Sequence, residues 1–115
     1  MIDARRMEVY YALFNRNGAF VSETKAEVVE ADFLRNELEK KQIVFFGNGA
    51  EKCRSLLADH PNALFLPAEI YPGAAGMAAL ALEKYENKAF ENLFTFEPFY
   101  LKDFMIHKPD EAKHI

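Results

Sequence analysis

The order of apolar and polar positions along the chain predicts eight elements. Met1 and Ile2 are apolar and Asp3 follows at once with no helix cap in front of it, so the chain opens inside a β-strand. Residues 7–14 alternate Val9, Tyr11 and Leu13 on one face with Tyr10, Ala12 and Phe14 on the other; with both faces apolar, this strand is expected at the centre of a sheet. "NRNGAF" follows, and its Asn17-Gly18 pair accepts the positive φ angles of a tight hairpin turn into a partner strand through "TKAEVVEA".

In "ADFLRNELEKK" the spacing becomes helical, with Leu34 and Leu38 four apart and Asp32 placed to cap the free amides. "QIVFFG" is a continuous apolar run, expected of a strand covered on both faces. "NGAEKCRSLLADHP" is helical through Ala50, Cys53, Leu56 and Leu57 and ends at His60-Pro61. "ALFLP" predicts another buried strand, and "GAAGMAALALEKYEN" a helix rich in small residues. "FENLFTFEPFYLKDF", broken by Pro98, is expected to lie extended on the surface. The order βββαβαβα is that of an α/β, ribonuclease-H-like lobe, with an antiparallel start and alternating units after it.

Composition narrows what such a lobe can do. At 115 residues and 50% hydrophobic content the chain is one domain with material for a core. A net charge of -4 gives no overall field to hold a polyanion. The single cysteine, Cys53, has no partner for an internal disulfide, and its spacing from His60, His107 and His114 matches no structural zinc pattern. With no signal peptide and no apolar run near the length of a membrane span, the expected location is the cytoplasm.

Two chemistries suit a ribonuclease-H-like lobe. A two-metal nuclease needs several converging carboxylates; Asp3 and either Glu37 or Glu39 could contribute, but the strand ending "VFFGNG" offers Asn48 where an acid is required. An actin-like ATPase needs an acid followed by a tight glycine turn over the phosphates. Here Ala4 and Arg5 follow Asp3, and Arg5 stands where the glycine belongs. Gly47 and Gly49 form a second, weaker candidate turn, more often a simple joint between elements than an anion cradle. Cys53 lies on an apolar helical stripe and reads as a core thiol, and the aromatics Phe94, Phe96, Phe99 and Tyr100 read as packing rather than base stacking.

Against this background "MIDARRMEVYYALF" resembles the entry to the second lobe of the bacterial TsaB (YeaZ) family, and "EPFYLKDF" resembles that family's closing segment. "FFGNGAEK" and "LFLPAE" fall between them in the right order, so the resemblance runs over residues 1–104, with 105–115 as a tail. It implies a C-terminal, ribonuclease-H-like lobe of the actin-like ATPase (ASKHA) superfamily, cut within its first strand and lacking the first lobe of the family. It further implies a non-catalytic subunit in the complex that forms threonylcarbamoyladenosine beside the anticodon of tRNA. Its partners would be the catalytic TsaD paralogue and the TsaE ATPase, with tRNA contacted indirectly. Nucleotide and metal would sit at the partner subunit and no cofactor in this lobe. The motif residues Asp3, Arg5, Glu8, Tyr10, Pro98, Tyr100, Leu101 and Lys102 would be structural or lie at the lobe junction, with Asp3 and Arg5 fixing the strand end and that junction by a charge-assisted hydrogen bond and Pro98, Tyr100 and Leu101 anchoring the tail across the fold. Separated from its other lobe, such a fragment is expected to self-associate through its uncovered apolar face. The alternative is a stand-alone ribonuclease-H-like nucleotide or nucleic-acid enzyme.

Overall fold

A computed structural model describes residues 1–67 and 70–102; the 105–115 tail and the histidines within it lie outside the described residues. The elements follow the order β1 (Ile2–Asp3), β2 (Glu8–Tyr11), β3 (Lys25–Val28), α1 (Arg35–Leu38), β4 (Ile43–Phe45), α2 (Glu51–Leu57), β5 (Ala63–Phe65) and α3 (Ala74–Glu86). The result is a small mixed α/β fold.

The first three strands form an antiparallel sheet in the order β1-β2-β3, so the β-rich stretch around Val9 is central. Its period of two carries Val9 and Tyr11 into the core, where the Tyr11 ring meets Phe33 edge-on at 4.9 Å. Tyr10 on the opposite face is only half-buried, so the strand is covered on one side and not on both. The hairpin joining β2 to β3 differs from a two-residue turn. Gly18 alone takes a positive φ, +78°, its N–H donates to the Asn15 carbonyl at 3.0 Å, and the Ala19 carbonyl accepts from the Asn15 N–H. This is a turn closed by one left-handed residue, and the Asn15 side chain supports it by accepting the N–H groups of Asn17 and Ala19.

The first helix is shorter than its spacing predicts. Leu34 takes a left-handed φ of +53°, which breaks the run after residue 33 and leaves α1 as a single turn. Asp32 caps nothing with its side chain; its carbonyl accepts the Arg35 N–H. Leu38 still reaches the core.

β4 and β5 pair in parallel, Ile43 with Ala63, Val44 with Leu64 and Phe45 with Phe65, and α2 makes the crossover between them. Cys53 and Leu57 of α2 pack with Phe45 and Ala63, joining the cluster of Val9, Val29, Phe33 and Leu38 in one continuous core. The two sheets meet edge to edge: the Met1 amino group donates to the Phe46 carbonyl at 2.8 Å, and the Gly49 N–H to the Met1 carbonyl at 3.4 Å. β1 therefore lies beside the end of β4.

Among the described residues, those from 70 onward add no buried side chain to this core. No residue of α3 is buried, and the radius of gyration, 18.3 Å, exceeds the roughly 13 Å expected of a compact domain near this length. Leu93 and Phe94 are 92% and 98% exposed. The chain returns only at its described end, where Phe99 and Leu101 line an open groove with residues 20–24 and Lys102 reaches Glu8. Among the described residues no helix is long and apolar enough to cross a membrane.

Candidate functional site

The candidate site is the β1–β2 hairpin loop and the β4–α2 turn beneath it. The Ala4 N–H donates to the Glu8 carbonyl at 3.1 Å and the Glu8 N–H to the Arg5 carbonyl at 3.0 Å, closing a loop with Arg5 and Arg6 at its tip. Both arginines sit in the left-handed region, at φ +78° and +46°. Glycine adopts that geometry freely, whereas a side chain raises its energy by about 1–2 kcal/mol per residue. The backbone thus makes a turn of the kind glycine favours with arginine at both positions.

Asp3 organises the loop, though not through the arginine side chain. Its Oδ1 accepts the backbone N–H of Arg5 at 2.7 Å, and its charged partner is Lys52, whose Nζ donates to the same oxygen at 2.7 Å. The Asp3–Arg5 hydrogen bond is thus made by the Arg5 backbone N–H, while Arg5 itself is exposed at the loop tip and Lys52 supplies the cation. Lys52 also donates to the carbonyls of Arg6, at 2.9 Å, and Glu8. Three oxygens from the loop surround one ammonium whose side chain is only 18% exposed. The hydrogen bond from Lys52, reinforced by the Arg5 N–H, holds the Asp3 carboxyl below its ordinary range.

Gly47 and Gly49 serve the approach of β1. A Cβ on Gly47, itself at φ +98°, would stand 2.0 Å from the Met1 carbonyl oxygen, and one on Gly49 would stand 2.8 Å from the Ile2 carbonyl carbon. The Asn48 amide between them accepts the Asp3 N–H through Oδ1 at 2.9 Å. The Gly-Asn-Gly turn is thus filled by the chain's own first strand. Cys53, one turn below, is fully buried and donates its thiol proton to the Gly49 carbonyl at 3.3 Å; burial raises its pKa. It is a core thiol.

The residues that carry the sequence resemblance divide into two groups. Lys102 pairs with Glu8 on the strand that carries Tyr10, and the hydrogen bond to Glu8 raises the ammonium pKa. Leu101 is half-buried beside it, but Pro98 and Tyr100 are exposed, so the tail is fastened at Leu101 and Lys102 and not along its whole length. Lys52 is the residue that sequence reasoning missed as part of the site; its signal was a cation in the first turn after the second glycine, facing an acid whose role had no other partner.

Chemically, the loop binds a cation with a carboxylate and two carbonyls, and this chain supplies that cation itself. Among the described residues no three His, Cys, Asp or Glu side chains converge as metal ligands. The His60 ring is used locally, its Nδ1 accepting the Asn62 N–H at the end of α2. In comparisons with known proteins, no protein-family model and no curated protein matches this chain.

Proposed function

We propose that this chain is a ribonuclease-H-like lobe of the TsaB kind and acts as a non-catalytic scaffold in threonylcarbamoyladenosine formation on tRNA. The observation that carries the reading is the Asp3–Lys52 contact. In an actin-like ATPase the acid after the first strand and the glycine turn beside it serve nucleotide phosphates and their metal; here Lys52 takes the acid and two loop carbonyls, and Arg5 and Arg6 take the turn. A loop whose acceptors are already satisfied is built to hold its shape. The position of β1 beside β4, which extends the strand sequence to β3-β2-β1-β4-β5, supports the same fold reading. The work of such a lobe is to present surfaces to a catalytic TsaD-like paralogue and, through the assembly, to a TsaE-like ATPase and tRNA.

Depleting this protein in its cell and measuring threonylcarbamoyladenosine in tRNAs that read codons beginning with A tests the proposal by mass spectrometry of digested tRNA. The modification is expected to fall, and to recover with a TsaD-binding form of the protein. Unchanged modification, or magnesium-dependent turnover of ATP or an RNA–DNA hybrid by the chain that Asp3→Asn abolishes, would overturn it.

A further inference from the structure

The β4–β5 sheet has one dressed face and one bare face. Phe45, Ala63 and Phe65 pack on the side of α2. Val44, Phe46, Leu64 and Leu66 take the alternate positions, in register through the Val44–Leu64 pair, and are 37–47% exposed. Parallel sheets are normally covered on both faces, because their strands are apolar on both. Among the described residues no second cover lies on this one.

The same chain carries a cover that lacks a sheet. The first nine residues of α3, 74–82, are Ala, Gly, Met and Leu without one polar side chain. A helix apolar all round is a buried helix, and one of 13 residues is marginal on its own in water. Yet Met77, Leu80, Leu82 and Tyr85 are 55–68% exposed, and the space around Gly73 and Gly76 is open to the approach of another backbone. The molecule extends to 66 Å along its longest axis. Pro67 and Pro72 flank the connection from β5 to α3, each with its own φ fixed by its ring.

We infer that α3 and the aromatic loop after it form an exchange arm that lies on the bare β4–β5 face of a second copy of this chain, which returns its own arm in the same way. Such a reciprocal contact closes on itself, since each copy offers one face and one arm. Its size suffices. At about 150 Å² per ring, Tyr85, Phe90, Phe94 and Phe96 of two copies bring about 1,200 Å², the lower bound of a stable interface, before Met77, Leu80 and the sheet itself are counted. The Tyr85 and Phe90 rings already meet edge-on at 5.8 Å, so helix and loop enter the contact as one unit.

Mixing the Leu64→Cys chain with the Leu80→Cys chain under mild oxidation tests this, because both side chains are exposed and neither substitution disturbs the core. The expected product is a cross-linked pair of twice 13.2 kDa containing one copy of each, formed several-fold faster than either chain couples with itself. Light scattering of the unmodified chain should show a dimer that Leu80→Glu weakens at least about tenfold in Kd. If the double variant Leu64→Cys/Leu80→Cys instead closes within one chain, the arm covers its own sheet and the inference fails. It fails equally if the chain is monomeric at every concentration and the mixture does not cross-link, whether or not another protein then occupies the face.

Discussion

Lys102 bonds its ammonium to the carboxylate of Glu8 across 94 residues of sequence. The contact ties the described end of the chain to the central strand of the antiparallel sheet, while Leu93 and Phe94 are almost fully exposed. One ion pair and the half-buried Leu101 thus determine where a long aromatic segment returns to the fold.

Removing that pair should free the segment without unfolding the domain. Lys102→Ala is expected to leave the Tm nearly unchanged, since partly exposed pairs contribute little, and to speed proteolytic cleavage within residues 93–100. Because the Lys102 pKa is raised in the folded state, its contribution is complete below the unfolded value of about 10.4 and is lost as pH rises through the folded value. Limited proteolysis across alkaline pH should show the segment released there in the unmodified chain, and at every pH in the variant.

At the other end of the pH scale the Asp3–Lys52 contact governs. Asp3 has a lowered pKa, so its contribution is present above the unfolded value of about 3.9 and disappears as pH falls through the folded value. Lys52→Met, which keeps the stem and removes the charge, should flatten this acid limb in urea titrations. At neutral pH it should lower stability, because three loop oxygens lose the donor they share. An acid limb as steep as that of the unmodified chain would show that other carboxylates set it.

Much of this architecture was legible in the sequence because it rests on periodicity. Val9 and Tyr11 at period two, Cys53 and Leu57 four apart, and the apolar run before Gly47 place the central strand, the second helix and the parallel strand where they occur. The failures have tertiary causes. Leu34 carries helical spacing, yet its left-handed backbone ends the run. The two glycines of "FFGNG" resemble an anion turn because close approach to a phosphate and close approach to β1 both require a missing Cβ. Lys52, a cation in the first turn after the second glycine, could not be matched to its acceptors from the sequence because they lie 44–49 positions away.

The glycines give a graded test of that account. Gly47→Ala would force a methyl onto the Met1 carbonyl at a positive φ, and a loss of more than about 2 kcal/mol is expected in denaturant melts. Gly49→Ala, with its nearest backbone atom at 2.8 Å, should follow at a smaller cost. Gly76→Ala lies in a helix with nothing within 4 Å and should raise the helicity of α3, by about 0.5–1 kcal/mol of helix stability. If Gly47→Ala were neutral, β1 would not lie against this turn.

Arg5 provides the sharpest separation of shape from chemistry in the loop. Its backbone holds φ +78° although its side chain makes the left-handed region costly, and its N–H bond to Asp3 fixes that geometry. Arg5→Gly should relieve the cost while keeping the N–H, but glycine also gains freedom in the unfolded chain. The net expectation is a stability unchanged or raised by up to about 1 kcal/mol. Arg5→Val, β-branched at a positive φ, should lower stability by about 1–3 kcal/mol. Neither change touches Lys52, so a loop with glycine at position 5 should still bind no nucleotide in calorimetric titration with ATP and magnesium; the ammonium of Lys52 continues to occupy the carboxylate and carbonyls. Should Arg5→Gly bind ATP, the loop would be an intact phosphate cradle blocked by one side chain, and the scaffold reading would lose its principal support.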